Sequence, residues 1–409
     1  MKYIKFILLA MTIGFIGCTD LEEDTTGLVS PESFYTSVDE INSGVAAIYR
    51  IYMEYYLNAQ GGLPSLGGDD VTSRTGLNKG PYREFDQFAT TAGNVWLIEH
   101  SWDRLFQAIY HANPVINNYE NTPQSPERDQ AAAEAFFMRG WAYFMLVRTF
   151  GPVPIYTDTP TGGEVRSPES EVYDLIVSDM NFAVDNLPTS WPGQPGRVTQ
   201  WSAKLFLAKV YSTMAGWPLK RTELYSEAAT LAKDVIDNSG HSLLPVFNEL
   251  WLIENNNNSE SMLAIQACTA CGDWALTNRM PLSVGPGDID GGGTGWDDYF
   301  AEIAFFEEFP EGPRKDATFR TTIPTPNGDV DWTESVTGHP YYLKVTGNTL
   351  STSWQTDFNT YVLRYAEALL TYAEAQNMSA GSPSSEAYEA LNQVRRRAAG
   401  GDPSTPNGD

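Results

Sequence analysis

The stretch AAAEAFFMRGWAYFMLVRTFG, residues 131–151, constrains the fold more than any other part of the chain. At 3.6 residues per turn, Phe137, Trp141 and Phe144 fall on one face, and Phe136, Gly140, Tyr143 and Val147 on an adjacent one. Gly151 followed by Pro152 ends the helix, since glycine suits the C-terminal cap and proline cannot continue the turn. A helix this apolar needs neighbours, and the chain supplies them. A helix is expected from Ser37, with Asp39 and Glu40 in its first turn. Another is expected over 94–120, where Ile98, Trp102, Leu105 and Ile109 recur at helical spacing. The segments 167–188 and 199–216 form a second pair, 224–240 a further element, and 361–377 with 384–400 a final pair. Trp102 and Trp141 are expected in the core.

Paired amphipathic helices faced with Ala, Tyr and Leu are similar to tetratricopeptide units, which stack to bury a shared core. The expected fold is therefore mainly α, a tetratricopeptide-like helical-hairpin scaffold over 31–240. A loop-rich insertion over 241–358 with a few short strands should interrupt it before the final pair at 359–409. Residues 58–93, rich in Gly, Asp and Thr, read as a long loop.

The first residues have the layout of a secretory signal: Lys2 and Lys5, an apolar run from Phe6 to Ile16, then Gly17 and Cys18. The run is too short for a comfortable membrane span, which takes about 20 residues. The placement of Cys18 resembles the lipobox of bacterial lipoproteins, with Phe15 where that motif usually has Leu. A plain signal peptide with an incidental cysteine is the alternative. The resemblance implies removal of residues 1–17, lipid on Cys18, an acidic tether over 18–30, and attachment to the membrane through that anchor only. The formal net charge of −26 argues against nucleic acid and anionic lipid as partners, because both repel it.

The other cysteines, Cys268 and Cys271, are spaced C-x-x-C. No second pair and no nearby histidine supports zinc, and no strand–helix pattern frames a redox pair. In an exported protein a local disulfide stapling the loop is expected, with two reduced cysteines as the alternative. His100, His111, His241 and His339 are scattered, and no G-x-S-x-G, H-E-x-x-H or phosphate-loop motif is present. The segment 285–300, GPGDIDGGGTGWDDYF, places Asp288 and Asp290 at calcium-loop spacing, but Gly292 and Tyr299 fall where two ligands should stand. Asp297 and Asp298 are the remaining candidates there, and no metal or other cofactor is expected.

Three loop clusters combine aromatic rings with hydrogen-bonding side chains, the combination that recognises a sugar's C–H face and hydroxyl rim. One holds Asp70, Arg74, Asn78 and Tyr82; another Asp273, Trp274 and Asn278; the third Trp296 and Tyr299. Each aromatic can equally be an anchor of its own loop.

The segment RGWAYFMLVRTFGPVPIYTD (139–158) resembles the signature helix of SusD/RagB-type nutrient-binding lipoproteins, as do YVLRYAEALLTYAEAQN (361–377) and ALNQVRRRAAG (390–400). SWDRLFQAIYHANPVINN fits the helix before the first signature. The resemblance implies a non-catalytic outer-membrane lipoprotein that binds glycan over a TonB-dependent transporter. It also implies a helical segment beyond the arginine-rich motif, so the sequence is expected to be truncated and its last helix pair to lack a packing partner. The alternatives are a glycoside hydrolase and a structural surface protein without a small ligand. Within the signature, Tyr361, Tyr365, Leu369 and Tyr372 are expected on one helix stripe, with Glu367 and Glu374 pairing across the hairpin to Arg395, Arg396 and Arg397.

Overall fold

The computed structural model describes residues 31–58, 67–91, 93–287, 295–344, 346 and 355–406. The signal segment, Cys18 and the tether, together with Asp288 and Asp290, lie outside them. Met1–Phe34 and Tyr35–Asp409 are separate units. In the first, the described part is a short helix, Pro31–Phe34.

Eight long helices are present among the described residues: α1 Val38–Tyr56, α2 His100–Asn118, α3 Pro126–Phe150, α4 Glu169–Asn186, α5 Gln200–Ala215, α6 Leu224–Asn238, α7 Tyr365–Ala380 and α8 Ser385–Ala398. Their starts follow from capping chemistry. The hydroxyls of Ser37, Ser125 and Ser384 each accept from a backbone N–H three residues on, and Thr199 with Ser202 forms a reciprocal capping box. Gly381, at φ 73°, ends α7 in the left-handed conformation that glycine adopts without steric cost. Each helix packs on the next along the chain, from α1 to α8. This is the stacking expected of helical-hairpin units, and α6 meets α7 across more than a hundred intervening residues.

Helix α3 is the spine. Phe137, Trp141, Tyr143, Phe144 and Val147 are all buried, each worth about 1.5–3 kcal/mol against solvent exposure. Trp141 stacks on Tyr52 of α1 with ring centroids 4.1 Å apart and meets Phe206 of α5 edge-on. The polar residues of this helix are cross-links. Arg139 gives two parallel hydrogen bonds to Asp179 of α4, at 2.9 and 2.7 Å, and a third to Asn113 of α2. Glu134 is buried between Arg197 and the Tyr49 hydroxyl. Trp102 differs from expectation: it is only half-buried, its ring against Phe106 and Phe150.

The other described residues are loop-rich, with four two-stranded antiparallel ribbons among them: β1 Val71–Thr72 with β3 Phe300–Ala301, β2 Ser261–Ile265 with β8 Thr360–Arg364, β4 Phe319–Arg320 with β7 Tyr341–Tyr342, and β5 Thr322–Ile323 with β6 Val330–Asp331. Two expectations are corrected. Residues 58–93 are not loop throughout, for they hold β1 and a helix at Gly80–Asp86. Residues 360–364 form a strand, not the first turn of the signature helix. Tyr361 therefore leaves the helical stripe, and its hydroxyl donates to the Leu250 carbonyl.

The arginine-rich motif is also paired differently. Arg397 reaches Glu260, a fully buried carboxylate at the start of β2, at 2.6 Å, and Arg364 binds the same carboxylate at 2.6 Å. Arg396 pairs within α8 to Glu389, Arg395 bonds Asn392, and Glu367 pairs with Lys209 of α5. The signature thus ties the last helix to a strand within the insertion.

Candidate functional site

Two of the three loop clusters meet, but as core. Lys79 and Asp298 form a buried ion pair at 2.5 Å, and the Ser73 hydroxyl donates to the Asp298 carbonyl at 2.7 Å. Tyr82 and Tyr299 sit beside this pair in one apolar cluster with Val71, Leu97 and Val284. Burial, then the Asp298 charge, pushes both phenols far above their ordinary range. Neither ring is open to a ligand, contrary to expectation. Asp297 is buried too, accepting from the Tyr341 hydroxyl and the Gly287 N–H. Close backbone approach explains the glycines of this loop: a Cβ on Gly287 would overlap the Gly295 backbone, and a Cβ on Gly295 would overlap the Gly285 backbone. Among the described residues no group of side chains is arranged to hold a metal.

Trp296 is partly buried, and its backbone N–H donates to the Leu282 carbonyl. Asp70 and Asn78 are exposed and Arg74 half-exposed, while the Asp70 carbonyl accepts from the Tyr342 hydroxyl. Asn278 of the other cluster is buried. Its amide donates to the Phe358 carbonyl, and its backbone bridges Thr356, so it holds two loop segments together and is not free to meet a ligand.

Of the aromatic rings in the three loop clusters, Trp274 is the most exposed, at 48%. It stands on a short turn closed at one end by the disulfide Cys268–Cys271. The turn is held at the other end by the Asp273 carboxylate, which accepts from the Ala275 N–H. Charged side chains surround it. Arg279 lies 5.2 Å from the centre of the Trp274 ring. Arg50, on α1, bonds Asp273 at 2.8 Å and Glu54 at 2.8 Å, and Glu54 takes a second arginine, Arg104 of α2, at 2.7 Å. Arg279 has no carboxylate within ion-pair distance among the described residues. Its Nε is buried without an acceptor, and burial lowers its pKa. Beneath, His100 stacks on Tyr55. Burial, then the charges of Arg104 and Arg279, brings its pKa down to about 4, so the ring is neutral.

The arrangement offers an aromatic face, a guanidinium with unused donors and a rim of charged hydrogen-bonding groups. That is binding chemistry. Sequence reasoning found Trp274 and Asp273 but missed Arg279, Arg50, Glu54 and Arg104. Arg279 adjoins Asn278 and was within reach. Arg50 and Glu54 carry no signal beyond an i, i+4 pair on a scaffold helix.

Comparison with known proteins identifies the family. Residues 73–212 match a family model described as SusD-like, starch-binding and associating with the outer membrane. Residues 313–406 match the SusD family model. A SusD-like protein of Bacteroides ovatus is 31% identical over 424 residues, an alignment covering 96% of this chain and 76% of that protein. A SusD homologue from Bacteroides thetaiotaomicron superposes with a TM-score of 0.79 at 24% identity, covering 92% of this chain and 81% of the other. A structure solved with a xylogluco-oligosaccharide superposes with a TM-score of 0.72 at 29% identity, covering 88% and 75%. Proteins of this family bind glycans without catalysis, which sets the hydrolase alternative aside. The chain belongs to the SusD family of glycan-binding proteins.

Proposed function

We propose that this chain captures an oligosaccharide on the Trp274 face and passes it to a TonB-dependent transporter in the outer membrane, to which it is held by lipid on Cys18. The observation that carries the reading is Trp274 itself, a large ring left 48% exposed on a stapled turn beside Arg279. A pyranose presents C–H groups to such a ring and hydroxyls to the arginine, Asp273 and Glu54. Trp296, partly buried, and Asp70, Arg74 and Asn78 stand on the loops of the Tyr82–Tyr299 cluster and are not part of the Trp274 face.

The relative solved with a xylogluco-oligosaccharide makes β-glucan fragments the first ligands to try. The family's association with the outer membrane supports the location. No helix among the described residues is long and apolar enough to cross a membrane.

Affinity electrophoresis of the purified chain through a panel of plant and algal polysaccharides tests the reading. Retardation by at least one of them, without release of reducing ends, is expected. A chain that migrates unretarded through the whole panel would leave the structural-protein alternative standing. Delivery is tested by isolating the chain from outer membranes: co-purification with a β-barrel transporter is expected, and recovery without one contradicts that half of the proposal.

A further inference from the structure

Acidic residues outnumber basic ones by 52 to 26, so a cation that finds no carboxylate is the exception. Two such cations, Arg314 and Lys344, gather with two paired ones near Trp251, at the end of the short helical turn Phe247–Trp251. Lys344 and Arg364 each lie 5.7 Å from the centre of its ring. Arg397 lies over the neighbouring Phe247, and Arg314 over Phe309. Arg364 and Arg397 share Glu260. Among the described residues neither Arg314 nor Lys344 has a carboxylate within ion-pair distance, and Asp70 acts on Lys344 more weakly than Arg314 and Arg364 do. Four cations therefore depend on one carboxylate.

The hydrogen-bond inventory has the same imbalance. The Trp251 indole N–H and the Arg397 Nε are buried with no acceptor, and a buried donor left unmade is costly. Burial, then the charges of Arg314 and Arg364, brings the Lys344 ammonium down to about 8. Burial, then Arg364 and Arg397, lowers Arg314. Arg314 alone of these cations also lines a cavity of about 870 Å³, with Phe305, Glu308, Phe309 and Arg395. The nearby Glu311 is already engaged by Lys315. Within ion-pair distance of Trp251's cations the described residues supply one carboxylate, Glu260.

We propose that Trp251, Arg314, Lys344 and Arg364 form a seat for an oxyanion, a carboxylate or sulfate group carried by a ligand, separate from the Trp274 site. An anion there would neutralise the mutual repulsion of Arg314, Lys344 and Arg364 and form charge-assisted hydrogen bonds with them. The aromatic walls limit competition from water.

The test is calorimetric titration of the full chain with sodium sulfate and with sodium galacturonate, beside galactose and sodium chloride at matched ionic strength. The parent is compared with Lys344→Met/Arg314→Gln. Sulfate stabilises any protein by exclusion from its surface, so the difference between parent and variant is the reading. The parent should bind at least one of the two anions, and the variant at least about tenfold more weakly. Galacturonate alone binding assigns the seat to carboxylates, and sulfate alone to sulfate esters. Without added anion the variant should melt no lower than the parent, since repelling charges have been removed. If the double variant does not fold, Lys344→Gln replaces it in the same titration. Failure of both anions to bind the parent, or equal binding by parent and variant, overturns the proposal. Neither result touches the reading of Trp274.

Discussion

His100 shows how surroundings decide the behaviour of a residue that the sequence leaves featureless. Its pKa of about 4 in the fold lies below the ordinary histidine value of about 6.5. The unfolded chain therefore takes up the proton first. The contribution of neutral His100 to stability is full above about pH 6.5 and is lost as pH falls toward 4. Thermal melts between pH 7 and pH 4.5 should show a fall in midpoint that is smaller in His100→Gln. Parallel curves for the two proteins would contradict the assignment. The aromatic residues teach a related lesson. Trp274 and Tyr299 look alike in sequence, each in a Gly- and Asp-rich loop without helical period. What separates them is long-range: the Lys79–Asp298 ion pair joins residues 219 apart and draws Tyr299 inside, whereas the disulfide and the Arg50–Asp273 pair hold Trp274 out. Composition finds such rings but cannot sort them.

At the scale of elements, the long helices were legible because their caps and apolar stripes are local. The strand at Thr360–Arg364 was not, because Tyr361 and Tyr365 continue the stripe of α7. The strand exists through pairing with residues 261–265, about a hundred positions earlier. Glu260 secures that junction. Replacing it with Ala leaves Arg397, itself buried, without its carboxylate, and should cost about 3–5 kcal/mol, read as a lower denaturant midpoint with an unchanged slope. A loss under about 1 kcal/mol would mean that the junction is held by packing alone. The disulfide acts on a smaller element. Closing so short a loop restricts the unfolded chain little, so changing Cys268 and Cys271 to Ser should leave the melting midpoint nearly intact while weakening glycan binding through a looser Trp274. An unchanged affinity would remove the staple from the account.

For the whole molecule, the helical stack is a rigid frame that keeps function on its loops. The order of the helices could be read from sequence, and so could the family resemblance in α3, α7 and α8. Which loop residues converge could not, since Arg50, Arg104 and Arg279 come from two helices and a distant turn. The central claim is that glycan is held at Trp274. Titration of parent and Trp274→Ala with a xyloglucan-derived oligosaccharide, or whichever glycan retards the parent, tests it most directly, with a thermal melt of each protein alongside. The account predicts that the variant loses about 2 kcal/mol of binding or more, while its midpoint barely moves because the ring is half outside. A variant that binds as tightly as the parent, with an unchanged melt, would place the glycan elsewhere and contradict the account.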